Sequence, residues 1–137
     1  MPASWKGLRE RVLLVDDDDT IRRLMTQLLK ERYEIREAHD GEEALSEIRR
    51  NPPDLVVVDV NLPGVSGPDL ITQMRANGFS ADRIKVLLMS GAMPDEALCG
   101  LSTTGADDFL AKPFKPGEFV SRVRALMLRR SPSPGRT

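Results

Sequence analysis

Hydrophobic residues along this chain follow two alternating patterns. Short, continuous apolar runs are separated by longer segments in which apolar residues recur every three or four positions. Continuous runs are typical of strands covered on both faces, whereas the longer spacing is typical of helices with one buried face. The runs predict strands at 12–15, 33–38, 55–60, 85–90 and 108–111. This alternation predicts an α/β fold around a mostly parallel sheet, and the mixed second run suits an edge strand.

The segments between the predicted strands have apolar residues at helical spacing, but their helix propensity differs. The first stripe follows a group of acidic residues, which favour a helix N-terminus; it comprises Ile21, Leu24, Met25, Leu28 and Leu29. Further stripes begin at Ala44 and after Pro68, and the last one ends at Met127. The helix predicted at 94–104 is the weakest, because Gly100 and the Ser-Thr-Thr run at 102–104 are poor helix formers. We expect it to be the most mobile helix.

Composition excludes several classes of function. The chain has 137 residues and no apolar stretch near the ~20 residues that cross a bilayer. Its single cysteine, Cys99, allows neither an internal disulfide nor a Cys/His zinc site. The formal net charge of -1 gives no overall attraction to nucleic acid or to an anionic membrane. We expect no DNA-recognition domain after residue 130 of this chain, and a longer natural protein that has one stays open as an alternative. We therefore expect a soluble cytoplasmic protein that binds neither membrane nor nucleic acid directly.

Polar side chains stand where four of the predicted strands end. Asp59 lies at the end of the third strand, within "LVVVDVNLPG"; the corresponding residues of the first, fourth and fifth strands are Asp16 with Asp17, Ser90 and Lys112. The carboxyl ends of parallel strands meet at one edge of a sheet, where ligands bind. We therefore expect these five side chains to converge.

The chemistry of this group favours phosphoryl transfer. Gathered carboxylates repel one another and require a cation, and an all-oxygen acidic site suits Mg²⁺. A phosphoryl group fits between a metal ion, a lysine and a hydroxyl, because its transfer depends mainly on positioning and charge neutralisation. Asp59 would be the acceptor. The simpler alternative, that Asp59 only caps a turn, leaves the other strand ends unexplained.

The remaining polar residues are interpreted as structural. Asp18 and Asp19 are predicted to be helix caps rather than ligands. Asp107 and Asp108 are predicted to be surface acids before an edge strand, and the isolated His39 is assigned no metal or catalytic role. The arginines of the last helix are predicted to form a solvated face: Arg122, Arg124, Arg129 and Arg130.

Four segments resemble the receiver domain of bacterial two-component response regulators. They read "VLLVDDDD", "LVVVDVNLPGVSG", "VLLMSGA" and "GADDFLAKPF", in this order. The resemblance covers residues 11–130, which leaves 1–10 as an N-terminal extension and 131–137 as a disordered tail or linker stump. It implies a flavodoxin-like, doubly wound five-stranded parallel sheet of strand order 2-1-3-4-5 with helices on both faces.

The resemblance also implies how the phosphoryl group and the metal are bound. Asp59 would be the phosphoacceptor, while Asp16 and Asp17 would form the acid pocket for Mg²⁺, with Asp17 as the more direct ligand. Asn61 would contribute its backbone carbonyl to the metal.

Three further residues would act on the phosphoryl group or respond to it. Lys112 would pair with it, and the Ser90 hydroxyl would contact it. Phe109 would occupy an aromatic switch position, without the hydroxyl that tyrosine provides in many relatives. The implied donor is a sensor histidine kinase or a phosphotransfer protein, and the implied protein signals rather than acting as an enzyme. The switched surface would join the helix at 94–104, the fifth strand and the last helix, where a partner or a second copy could bind.

A haloacid-dehalogenase-type phosphatase is the alternative function. Asp16 would be its nucleophile, with Asp18 and Thr20 completing the motif. Against this function, an acidic pair precedes Lys112 instead of following it, and Asp59 is left without a role.

Overall fold

The computed structural model describes residues 9–91 and 105–129 as a sheet flanked by helices. The strands are β1 (Arg11–Val15), β2 (Glu34–Ala38), β3 (Leu55–Asp59), β4 (Lys85–Ser90) and β5 (Asp108–Ala111). The helices are α1 (Asp19–Leu29), α2 (Gly41–Arg50), α3 (Gly67–Ala76) and α4 (Pro116–Arg129). The helix predicted at 94–104 lies outside the described residues. None of the four described helices is both long enough and apolar enough to span a bilayer.

The sheet has the predicted strand order. All neighbouring strands are parallel and follow the order β2-β1-β3-β4-β5, which confirms the doubly wound α/β fold. Strands β3 and β4 are buried at every position, whereas β2 at one edge is mostly half-buried, as its mixed run predicted. After β2 the chain returns to the other side of β1, so the carboxyl ends of β1 and β3 border the crevice at which such sheets bind ligands.

Successive residues of the central strands face two separate apolar cores. Leu13 and Val56 belong to a core that includes residues of α2 and α3, which we name the α2/α3-side core. Leu14 and Val57 belong to a second core, which includes residues of α1 and α4. Because side chains alternate between the two faces of a strand, a strand that is buried on both faces needs an apolar residue at every position. This requirement explains the continuous apolar runs.

Polar side chains cap the N-termini of α1, α2 and α3 near the carboxyl edge of the sheet. The Asp18 side chain accepts two backbone N–H groups at the start of α1, which confirms its predicted role as a cap. Asp19 lies within the first turn rather than at the cap. Asp40 and Ser66 cap α2 and α3 in the same way.

Helix α3 starts in direct contact with the end of β3, because Gly67 has no side chain. A Cβ atom at Gly67 would lie 2.4 Å from the carbonyl oxygen of Asp59, far inside the normal contact distance. Glycine therefore allows the helix to begin beside the strand end that carries the predicted acceptor.

Candidate functional site

The carboxyl edge of the sheet brings three aspartates together. Asp16 and Asp17 follow β1, and Asp59 is the last residue of β3. One carboxylate oxygen from each aspartate lies within 4.8 Å of the others. Asp16 is fully buried and Asp59 is 7% exposed, whereas Asp17 is exposed. The cluster is therefore accessible to solvent on the side of Asp17.

Lys112 is the counter-ion of the two buried carboxylates. Its Nζ donates to Asp16 Oδ2 at 2.7 Å and to Asp59 Oδ2 at 2.8 Å. Its backbone N–H donates to the Ser90 carbonyl at 2.7 Å, which continues the pairing of β4 with β5. Burial alone would lower the pKa of Lys112, but the hydrogen bonds and negative charges of both aspartates outweigh it and raise the pKa above its usual 10.5. Lys112 is therefore a permanent cation at neutral pH.

Backbone N–H groups orient the same two carboxylates. Asp16 Oδ1 accepts the N–H of Asp18 at 2.9 Å, and Asp59 Oδ1 accepts the N–H of Asn61 at 3.1 Å. Each aspartate thus directs one oxygen to the turn that follows it and the other to Lys112. This arrangement fixes the carboxylates in one geometry.

The aspartate cluster fits a hard divalent cation. Three carboxylates carry more negative charge than one lysine neutralises, and carboxylate oxygens are the ligands that Mg²⁺ prefers. Asn61 is exposed and lies two residues after Asp59. Binding of the metal by the Asn61 carbonyl stays a prediction.

The predicted hydroxyl and switch residues lie on the two neighbouring strands. Ser90 is 7% exposed at the end of β4 and pairs in register with Ala111. Phe109 on β5 pairs in register with Leu88 on β4. It is partly buried and packs against the α2/α3-side core. The two residues are therefore carried by adjacent strands, with Ser90 nearer the carboxyl edge.

The prediction that Asp107 is a surface acid is wrong. Its side chain is only 10% exposed and accepts the Val86 N–H at 2.8 Å and Arg75 Nη2 at 3.1 Å. Arg75 comes from α3, so the charge pair joins this helix to the residue before β5. Asp108 is more exposed and pairs with Arg122 of α4 at 2.9 Å. A local sequence pattern could not show the burial of Asp107, because its partners come from distant parts of the chain.

His39 and the arginines of α4 lie outside the aspartate cluster. His39 is exposed, and its Nδ1 lies 2.8 Å from Glu43 Oε1, a hydrogen bond that raises the pKa of His39. Arg124 and Arg129 are exposed, as expected for a solvated face, and residue 130 lies outside the described part of the chain.

A groove of about 340 Å³ lies beside Asp17, between the start of α1 and the end of β2. Its lining residues are Asp17, Asp19, Arg22, Glu37, Ala38, His39, Glu43 and Pro63. Arg22 has no role in the sequence-based hypothesis, since it reads as a polar position of an amphipathic helix. In the structure its guanidinium donates to the carbonyl of Asp16.

Known response regulators are similar to nearly the whole chain. The chain is 38% identical over 130 residues to the DNA-binding response regulator MtrA of Mycobacterium tuberculosis H37Rv, and 39% identical over 127 residues to the response regulator MprA of Mycobacterium sp. strain KMS. The matches cover 93% and 91% of this chain but 54% of each relative. The chain thus spans about half the length of the curated relatives it matches. The name of MtrA conflicts with the expectation that this chain does not bind nucleic acid directly.

Solved structures of receiver domains share the fold. The receiver domain of the Francisella response regulator 1452 superposes with a TM-score of 0.81 at 30% identity, covering 88% of this chain and 98% of that one. The chemotaxis response regulator CheY4 of Vibrio cholerae has a TM-score of 0.80 at 27% identity, covering 86% and 98%. The beryllofluoride-activated receiver domain of DrrB has a TM-score of 0.79 at 26% identity, covering 88% and 99%.

These relatives do not support the haloacid-dehalogenase alternative. Asp18, the second acid of its motif, caps α1 instead. The family model of the response regulator receiver domain matches residues 12–124, and the chain belongs to this family of signalling domains.

Proposed function

We propose that Asp59 accepts a phosphoryl group from a phosphohistidine of a sensor histidine kinase or a phosphotransfer protein. The observation that carries this proposal is the position of Lys112, whose Nζ lies 2.8 Å from one Asp59 oxygen. A phosphoryl group on Asp59 would place its own oxygens beside this ammonium group. Charge neutralisation of this kind is the main requirement of phosphoryl transfer.

The transfer exchanges one bond to phosphorus for another. A carboxylate oxygen of Asp59 attacks the phosphorus while the bond from phosphorus to the imidazole nitrogen breaks. The electron pair of that bond returns to the imidazole, which leaves, and the product is an acyl phosphate on Asp59. The Asn61 N–H holds Asp59 Oδ1, so the carboxylate keeps one orientation toward the incoming group.

The other site residues are proposed to stabilise the negative charge on the phosphoryl oxygens. Mg²⁺ held by Asp16, Asp17, Asp59 and the carbonyl of Asn61 would supply positive charge to the phosphoryl oxygens. Lys112 contributes a second cation, and the Ser90 hydroxyl donates a hydrogen bond to a phosphoryl oxygen. In this proposal the protein catalyses only its own phosphorylation and dephosphorylation.

Phosphorylation is proposed to change the surface that consists of the segment 94–104, β5 and α4. A charge-assisted hydrogen bond draws the Ser90 hydroxyl toward the phosphoryl group. Phe109 on the neighbouring strand then turns into the space that Ser90 leaves. The changed surface binds an output partner or a second copy of the chain as a homodimer. Because MtrA is named a DNA-binding regulator, we extend the proposal to a cytoplasmic signalling pathway with a nucleic-acid output.

Covalent labelling tests the acceptor. Incubation with phosphoramidate and Mg²⁺ should add one phosphoryl group to the wild-type chain and to Asp69→Asn, measured by intact-mass spectrometry. Asp59→Asn should remain unlabelled, and excess chelator should prevent labelling of the wild type. Asp69 is a suitable control because it is an exposed aspartate in the first turn of α3. Labelling that persists in Asp59→Asn, or that proceeds equally in chelator, would contradict the proposal.

A further inference from the structure

Arg22 makes a set of directed contacts beside the aspartate cluster. It lies on α1, and its side chain is 13% exposed. Nη1 donates to the carbonyl oxygen of Asp16 at 2.6 Å, and Nε donates to Glu37 Oε1 at 3.0 Å. Nη2 donates to Asp19 Oδ1. The guanidinium therefore joins the loop after β1, the end of β2 and the first turn of α1.

The contact to Asp16 fixes the peptide bond between two of the proposed metal ligands. The Asp16 carbonyl belongs to the peptide group that leads into Asp17, so its direction sets the direction in which Asp17 leaves the strand. The other polar groups of Asp16 are already bonded: its N–H donates to the Ala38 carbonyl at 3.2 Å, and its carboxylate accepts from Lys112 and from the Asp18 N–H. Arg22 provides the contact for the remaining group, the carbonyl of a fully buried residue.

Neighbouring acids hold the guanidinium itself in place. Glu37 accepts from Arg22 through one carboxylate oxygen and from Thr26 Oγ1 through the other, at 3.1 Å. Burial alone would lower the pKa of Arg22, but the hydrogen bonds to Asp19 and Glu37 outweigh it and raise the pKa. Arg22 is therefore always charged, and its planar fork is fixed in one orientation by acceptors on two different elements.

We propose that Arg22 is a positioning residue of the metal site, which sets the affinity for Mg²⁺ by holding the Asp16–Asp17 peptide. This inference rests on the proposed function of the aspartate cluster. Without the guanidinium, the buried carbonyl of Asp16 loses its hydrogen bond, and the peptide turns to find another donor. Asp17 then leaves the position in which its carboxylate is close to those of Asp16 and Asp59. Partners that orient metal ligands in this way typically alter affinity by about 10- to 100-fold.

The sign of the effect separates positioning from simple electrostatics. A cationic guanidinium near the cluster repels a divalent cation, so removal of its charge alone would strengthen Mg²⁺ binding. Loss of the positioned peptide weakens Mg²⁺ binding instead. The two explanations therefore predict changes in opposite directions for the same substitution.

Isothermal titration of the purified chain with MgCl₂ measures this effect directly. The Mg²⁺ dissociation constant of Arg22→Gln should rise by about tenfold or more. Arg23→Gln is the matched control, because Arg23 is the adjacent, exposed residue of the same helix and its replacement changes the charge equally. Arg23→Gln should bind Mg²⁺ as the wild type does. Binding by Arg22→Gln that equals or exceeds that of the wild type would overturn the inference.

A second variant keeps the inference testable if Arg22→Gln does not fold, as judged by circular dichroism. Arg22→Lys retains the charge and the aliphatic stem, but one ammonium group cannot reproduce the three-way contact of the fork. We expect Arg22→Lys also to bind Mg²⁺ more weakly than the wild type, and wild-type affinity in this variant would overturn the inference. Titration of Asp17→Ala in parallel distinguishes failure of the proposed metal site from failure of the proposed role of Arg22. Wild-type affinity in Asp17→Ala would reject the metal site itself, whereas a loss in Asp17→Ala without a loss in either Arg22 variant would reject only the role of Arg22.

Discussion

At the scale of single residues, the site is a balance between buried carboxylates and one ammonium group. Lys112 contacts two carboxylates, of which that of Asp16 is fully buried. Because the folded protein raises the pKa of Lys112, its contribution to stability is fully present below the usual value of 10.5 and is lost as pH rises through the raised pKa. The charge of Lys112, and with it this contribution, therefore does not change near neutral pH.

Replacement of Lys112 leaves the buried carboxylates without their counter-ion. We expect Lys112→Met to lower the free energy of unfolding in chelator by about 3 kcal/mol, as is typical when one partner of a buried ion pair is removed. Added Mg²⁺ should restore much of this loss, because it supplies positive charge to the same carboxylates. Urea denaturation with and without Mg²⁺ measures both effects. Lys115→Met is the control, since Lys115 is exposed, and equal stability of the two variants in chelator would contradict the expectation.

Two neighbouring aspartates should differ sharply in their effect on the metal. Asp17→Ala removes a proposed ligand and should weaken Mg²⁺ binding by about tenfold or more. Asp19→Ala removes a side chain that is 74% exposed and pairs with Arg22, so its effect should stay below about threefold. Calorimetric titration of both variants checks this difference. Equal effects would mean that the metal lies elsewhere in the cluster.

At the scale of elements, the short edge strand β5 contains Phe109 and ends directly before Lys112. Its pairing with β4 is held at one end by Asp107, which bonds the Val86 peptide through its N–H at 2.9 Å and through its carboxylate at 2.8 Å. Arg75 of α3 donates a hydrogen bond to the same carboxylate. Burial lowers the pKa of Arg75. Such anchoring matters because a slip of one residue would turn every side chain of a strand to the opposite face.

Loss of this anchor should be costly, whereas loss of the adjacent acid should not. Asp107→Ala leaves the largely buried Arg75 without its carboxylate counter-ion and should lower the free energy of unfolding by about 3 kcal/mol. Asp108→Ala breaks a pair whose side chains are 28% and 38% exposed, and should cost less than about 1 kcal/mol. Urea denaturation of the two variants provides the comparison. Similar losses would show that the carboxylate of Asp107 is not the anchor of β5.

At the scale of the whole molecule, the proposed switch links the aspartate cluster to a distant surface. The link runs from Ser90 at the end of β4 to Phe109 on β5 and then to α4, which packs against β4 and β5. Phosphorylation would shift a two-state element of this kind from a 1:99 to a 99:1 ratio of populations if it favoured one state by about 5.5 kcal/mol.

Beryllofluoride, which activates the DrrB receiver domain, provides the test of this switch. With Mg²⁺ and beryllofluoride, amide chemical shifts should change in the aspartate cluster and also along β5 and α4. Size-exclusion chromatography with light scattering should show whether a second copy then binds. If the shift changes stay within the cluster, or if they extend to α1 instead, the proposed output surface is wrong. Asp59→Asn is the control that should show neither change.

The amino-acid sequence by itself determined the fold and the members of the aspartate cluster. Each predicted strand agrees with an observed strand to within one residue, because strands covered on both faces require continuous apolar runs that are visible locally. The cluster was predictable for a similar reason: once the strands are parallel, the residues that follow them must meet at one edge. Asp18 was also predictable as a cap, since its partners lie within the same turn.

Only the tertiary structure decided which polar residues are buried and what they contact. Asp107 reads as a surface acid, but Arg75, 32 residues earlier in the chain, covers it. Arg22 reads as one of many polar helix positions, and its contacts to the Asp16 carbonyl and to Glu37 exist only because the sheet places the ends of β1 and β2 beside α1. Neither Asp107 nor Arg22 lies in a local pattern that marks its distant partners, and burial of a charge depends on a partner that folding brings close. The physical reason for the difference is that hydrophobic periodicity is a local property, whereas the pairing of charges is a property of the assembled fold.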